Sequence, residues 1–164
     1  MNQPRPKLTL TTPRQVGISA VAGAIVCVVL LLVLDVFNAF PPVVPWTVPG
    51  VLVVMAVAAW SLARSMPRRR EERSISSGEA VAVLLVAKSI VMTGAVLAGG
   101  HAVYVGRFVG ALFAEQPTAR VLQGSTTIIA SLLLAVAGYA LEKACMVSVD
   151  DGSDGGGNQV GNPA

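Results

Sequence analysis

Apolar residues fall into long blocks along this chain, separated by short polar stretches. Four blocks stand out, at 16–34, 46–64, 80–106 and 121–141. About 20 apolar residues suffice to carry a helix across a hydrocarbon layer of roughly 30 Å. The first and fourth blocks contain no formal charge, and the third contains one, Lys88. The apolar run within the second, 48–63, is the shortest at 16 residues, but Trp46 and the stem of Arg64 extend it at both ends. The pattern predicts an all-α integral membrane protein with four transmembrane helices in two antiparallel hairpins forming a bundle.

The polar stretches predict where the helices stop. Residues 1–15 hold Pro4, Pro6, Pro13 and three basic residues, and read as a disordered lead-in. The 16–34 block exceeds a signal-peptide core of 7–15 residues, and no cleavage site follows Leu34, so it reads as an uncleaved span. Pro41, Pro42 and Pro45 prevent the first helix from continuing. Pro49 suits the start of the second. Residues 64–78 carry five arginines and two glutamates, with Ser76 or Ser77 placed to cap the third helix and Glu79 at its positive end. The stretch 107–120 reads as a loop or interfacial segment broken at Pro117. Residues 148–164, rich in Gly, Asn and Asp, read as a disordered tail. The membrane domain is thus expected over 16–147.

Composition narrows the class. Only 13% of residues are charged, about half the share of a soluble domain. The net charge of +3 comes mainly from the Arg68-Arg69-Arg70 cluster, which sets topology and gives no sign of nucleic-acid binding. Two cysteines and one histidine cannot supply a four-ligand zinc site, so no metal or other cofactor is expected. Cys27 and Cys145 fall at different depths, which argues against a disulfide. No Ser-His-Asp set, phosphate-binding glycine loop or carboxylate pair lies within the spans, so no enzyme activity is expected.

Charge also sets the threading. Nine of the 12 Lys and Arg residues lie on the side of the termini, and only Arg107 and Arg120 on the other. The positive-inside rule then predicts both termini in the cytoplasm of a multi-pass cell-membrane protein.

Candidate chemistry rests on a few residues. Lys88 lies about 12 Å along the third helix, where a charge costs roughly 2.5–3.5 kcal/mol on insertion scales. It is either half of a structural ion pair with Glu142, which closes the fourth span at the same end, or a functional intramembrane site. Small residues share the helix faces near it: Ala95 and Gly99, with Gly94 and Ala98, and Ser131, Ala135 and Gly138 on the fourth span. Ser19 and Gly23 offer the first helix a similar face. His101 reads as a headgroup-level polar residue or a proton relay. Arg68, Arg69 and Arg70 read as a topology signal or as contacts to lipid headgroups.

Four stretches carry a resemblance: "PPVVPW" after the first span, "AKSIVMTGAVLAGGHAVYV" in the third, "ARVLQGSTT" before the fourth and "ALEKACMV" closing it. Across 16–147 the chain resembles a family of small four-span actinobacterial membrane proteins classed as a domain of unknown function. Genes of that family tend to lie beside folate-biosynthesis genes. The resemblance implies an architecture and no activity. Two functions remain open. One is an interaction, assembly or accessory protein whose partner is another membrane protein or a second copy of the chain. The other is a small oligomeric carrier of a metabolite or ion that uses Lys88.

Overall fold

The computed structural model describes residues 10–39, 41–42, 44–71, 77–109 and 115–151. Among these residues are four α-helices and no strand: α1 (Pro13–Val36), α2 (Thr47–Glu71), α3 (Ser77–Val109) and α4 (Glu115–Asp151). Each contains a stretch long and apolar enough to cross a membrane, Pro13–Val36, Thr47–Arg68, Val81–Val109 and Thr118–Met146. The chain is a helical multi-pass membrane bundle, as the apolar blocks predict.

The helix ends differ from the sequence expectation in informative ways. Thr11 to Gln15 do not belong to a disordered lead-in. Thr12 caps α1 in a reciprocal box: its hydroxyl accepts from the Gln15 N–H, and the Gln15 side chain accepts from the Thr12 N–H. Pro13 then occupies the first turn, where its missing donor costs nothing. At the other end Asn38 takes a left-handed φ of 50°. Its N–H reaches Asp35 O, and the Ala39 N–H reaches Leu34 O, which satisfies the last carbonyls of α1.

Helix α2 runs through Pro67 to Glu71, well past Arg64. Pro67 removes the bond its N–H would make to Ala63 O, and the helix nevertheless continues for four residues beyond it. The expected break at Pro117 does not occur. That proline is the third residue of α4, a first-turn position that needs no donor, and α3 continues to Val109. Only residues 110–114 separate the two helices, and they lie outside the described part. Helix α4 also takes in 148–151 of the expected tail, whereas 152–164 lie outside the described residues, as do 1–9.

Three helix pairs are packed: α3 with α4, α2 with α4, and α1 with α3. The α3–α4 hairpin is therefore the centre, and α1 and α2 flank it on different helices. Consecutive in sequence, α1 and α2 are legs of an open hairpin that straddles the closed one. The core follows this order. Leu52, Ala56 and Ala59 of α2 pack with Leu84 and Ala87 of α3 and with Ala130, Leu134, Ala137 and Leu141 of α4. Only 6% of the span of α1 is buried, against 39% for α4. Ile18, Val21, Ile25, Val29 and Leu32 stay exposed, as suits a helix whose solvent on most sides is lipid.

Small residues set the close approaches. A Cβ added to Gly94 would sit 2.7 Å from Ser131 O, and one added to Gly138 would sit 2.8 Å from Ile90 Cγ2. Ser131 itself is fully buried. The pairs Val105–Gly124, Gly94–Ala135 and Val91–Gly138 step antiparallel along α3 and α4. Helices α1 and α3 run parallel instead. Ser19 meets Met92, Gly23 meets the Val96 backbone, and Cys27 faces Gly100, each four residues after the last. A Cβ on Gly23 would collide with the Val96 carbonyl oxygen, and one on Gly99 with that of Ala20. Such contacts drive helix association in lipid, where van der Waals packing replaces the hydrophobic effect.

Candidate functional site

Polar groups gather at the two ends of the bundle. At one end the connector between α1 and α2 must pass over the α3–α4 hairpin. A ten-residue connector would reach about 31 Å if fully in the polyproline conformation, against three helix spacings of 8–10 Å, and the turn at Asn38 takes up part of that reach. The prolines thus do more than end α1. The carbonyls of Pro41 and Pro42, with that of Val44, are bonded by side chains of the hairpin.

Three side chains from the hairpin accept that geometry. Tyr104 Oη donates to Pro42 O at 3.1 Å, and Arg120 donates to Pro41 O at 2.6 Å. The Gln123 amide, oriented by its partners, donates to Val44 O and accepts from Trp46 Nε1, both at 3.0 Å. Arg120 also stacks over Phe108 at 5.2 Å, and Phe108 packs edge-on against Tyr104 at 5.2 Å. A guanidinium bonded to one carbonyl and laid on an aromatic face is held on two sides. None of Tyr104, Arg120 or Gln123 stands out in the sequence as a site residue. The signal was present in the three unpaired proline-segment carbonyls, which require donors from elsewhere.

Below this clasp, α1 and α3 separate. The gap forms a lateral groove of about 310 Å³ whose lining includes Cys27, Leu30, Val96, Leu97 and His101. His101 is half-buried, and its Nδ1 lies 2.9 Å from Leu97 O, one turn back on its own helix. That bond places the proton on Nδ1 in the neutral ring and leaves Nε2 as an acceptor. His101 therefore belongs to the α1–α3 groove. It stands 13 residues from Lys88, about 20 Å along α3.

At the opposite end Glu142 is completely buried. Its Oε1 accepts from the Thr11 N–H at 2.8 Å, joining the N-terminal segment to the end of α4. Glu142 Oε2 and Thr11 Oγ1 are also buried, with no hydrogen-bond partner among the described residues. Lys88 is half-buried. The antiparallel register carries it to the level of Leu141, next to Glu142, so the two sequence candidates share a level in the bundle. Thr11 is the partner of Glu142 that the sequence did not reveal. Arg64 stacks over Trp60 at 5.3 Å at the same end. Arg68 is exposed there, and Arg69 and Arg70 continue the helix with side chains outside the described part.

Several other hydroxyls of the spans bond back to their own helices. Thr126 and Thr127 donate to Gln123 O, Ser131 to Thr127 O and Ser89 to Leu85 O. Among the described residues, no three of His, Cys, Asp and Glu come together in a group that could hold a metal. Cys27 and Cys145 form no disulfide.

A family described as a protein of unknown function (DUF3180) matches residues 18–148. No curated protein and no solved structure matches the chain.

Proposed function

Because the chain belongs to the DUF3180 family, whose description carries no activity, its role has to be argued from its own geometry, and we propose that it is a non-catalytic assembly or accessory protein of the cell membrane. The carrying observation is the fate of three hydroxyl groups inside α4. Thr126, Thr127 and Ser131 bond to carbonyls of their own helix. A carrier would aim such groups at a shared path, and an enzyme would converge them on a substrate.

The partner in this reading is another membrane protein or a second copy of the chain, met through the apolar outer faces of α1 and α2. Both termini and the arginine-rich turn lie in the cytoplasm. Nine positive charges against two support that orientation. Isolation of the chain in mild detergent, without crosslinking, tests the reading. One membrane protein should co-purify in fixed proportion, or the chain should run as a defined oligomer. A lone monomer whose deletion abolishes uptake of one solute would overturn it.

One observation favours the carrier as a second reading. Lys88 stands level with a buried carboxylate in the spans. In that case Lys88→Met would eliminate uptake and leave the amount of folded protein unchanged.

A further inference from the structure

A second cavity adjoins the lateral groove. This vestibule, about 390 Å³, lies at the connector end and contains Asp35, Asn38 and Arg107. Leu31 and Pro41 line both spaces, so the apolar groove and the charged vestibule adjoin. The parallel register of α1 and α3 explains why the charges meet there. The spacing that sets Cys27 beside Gly100 carries Asp35 to the level of Phe108, next to Arg107. Neither Asp35 nor Arg107 has an ion-pair partner among the described residues.

We propose that groove and vestibule together bind one membrane lipid with a phosphate-and-primary-amine head group, its chain along α1 and α3 and its head between Arg107 and Asp35. The shape suits an amphiphile: an apolar slot open sideways to the bilayer beside a chamber of similar size that carries Asp35, Asn38 and Arg107. The charges select the head. Arg107 offers a planar donor set suited to a phosphate. Asp35, with the Asn38 side chain near it, offers acceptors for an ammonium that has N–H bonds to give. A quaternary ammonium has none, and a purely anionic head would meet the Asp35 carboxylate. The head group is therefore phosphoethanolamine, in preference to phosphocholine or phosphoglycerol. The site is separate from any partner contact in the proposed function.

The test uses the full chain in nanodiscs of phosphatidylethanolamine, phosphatidylcholine and phosphatidylglycerol in equal parts, with retained lipid read by native mass spectrometry after delipidation. Phosphatidylethanolamine should be retained about fivefold over either competitor, the scale of one exposed charged contact. Asp35→Asn should remove the preference over phosphatidylcholine, and Arg107→Gln should lower retention of all three phospholipids. Asp35→Arg should reverse the order in favour of phosphatidylglycerol. Gly100→Leu fills the groove from α3 and should abolish retention of every lipid. The Asp35 and Arg107 variants change exposed side chains, so they report on binding even where Gly100→Leu fails to fold. Equal retention of the three lipids, or a preference unmoved by Asp35→Arg, would overturn the proposal.

Discussion

The Thr11 N–H donates to Glu142 Oε1 across 131 positions of sequence, closing the start of the chain onto its last span. The carboxylate is fully buried and its other oxygen has no hydrogen-bond partner among the described residues. Removing one side of such a bond leaves a desolvated donor behind. Glu142→Ala should destabilise the protein by about 1–3 kcal/mol, and Glu142→Gln, which keeps an acceptor, by less. Thermal unfolding in nanodiscs measures both. Amide exchange at Thr11 should also accelerate in Glu142→Ala; an unchanged rate there would show that the bond does not hold the N-terminal segment.

Lys88 and Glu142 share a level, which makes their coupling measurable. Lys88→Met and Glu142→Gln should each lower stability, and the double variant should lose less than the two combined. Breaking one half of a buried pair costs about 3–5 kcal/mol, and less where water reaches it. Strictly additive losses in the double-mutant cycle would rule out the pair.

The parallel register of α1 and α3 has a covalent test. A Cβ at position 100 would stand 3.8 Å from Cys27 Cβ, within the range of native disulfides. In a Cys145→Ser background, Gly100→Cys should oxidise to an intramolecular disulfide with Cys27. Val96→Cys should not, because Gly23 is the residue that meets Val96. Peptide mapping under oxidising conditions distinguishes the two; crosslinking of both with equal yield would contradict the register.

The clasp on the connector predicts a spectroscopic change. Gln123→Leu removes the acceptor of Trp46 Nε1 and the donor to Val44 O. In a Trp60→Phe background, the fluorescence of Trp46 should shift and its quenching by acrylamide should rise. Tyr104→Phe, which loses a single bond to Pro42 O, should cost about 1 kcal/mol without altering the Trp46 signal.

Threading follows from the arginine distribution. Alkaline phosphatase fused after Ser148 should be inactive, and the same enzyme fused at Asn38 should be active. Activity at the Ser148 fusion would invert the topology.

The four spans were legible because each is a block of near-membrane length, a signal that needs no tertiary context. Helix ends were less so. Pro117 reads as a break in isolation but stands in the first turn of α4, and the sequence alone does not say which turn a proline occupies. The small faces at Gly23, Gly94 and Gly138 were readable as contact faces, because spacing fixes a helix face. Their partners were not, because neighbours in a bundle are set by connector geometry. Two consecutive helices invite the assumption that they touch, yet the proline connector is long enough to let α3 and α4 stand between α1 and α2. Lys88 drew attention as the lone charge of its block. Thr11 could not, since its part is played by a backbone N–H that every residue but proline carries.

The straddling arrangement imposes an order of assembly on synthesis. Helices α1 and α2 leave the ribosome first, but each has its packed face on a helix that does not yet exist. Helix α1 has no packed partner until α3 is made, and α2 has none until α4 is made. A chain arrested before α4 would leave the α4-facing side of α3, at Val91 and Gly94, and the Leu52–Ala56–Ala59 face of α2 without their packed partner. The last helix to be made is thus the one whose arrival commits the molecule.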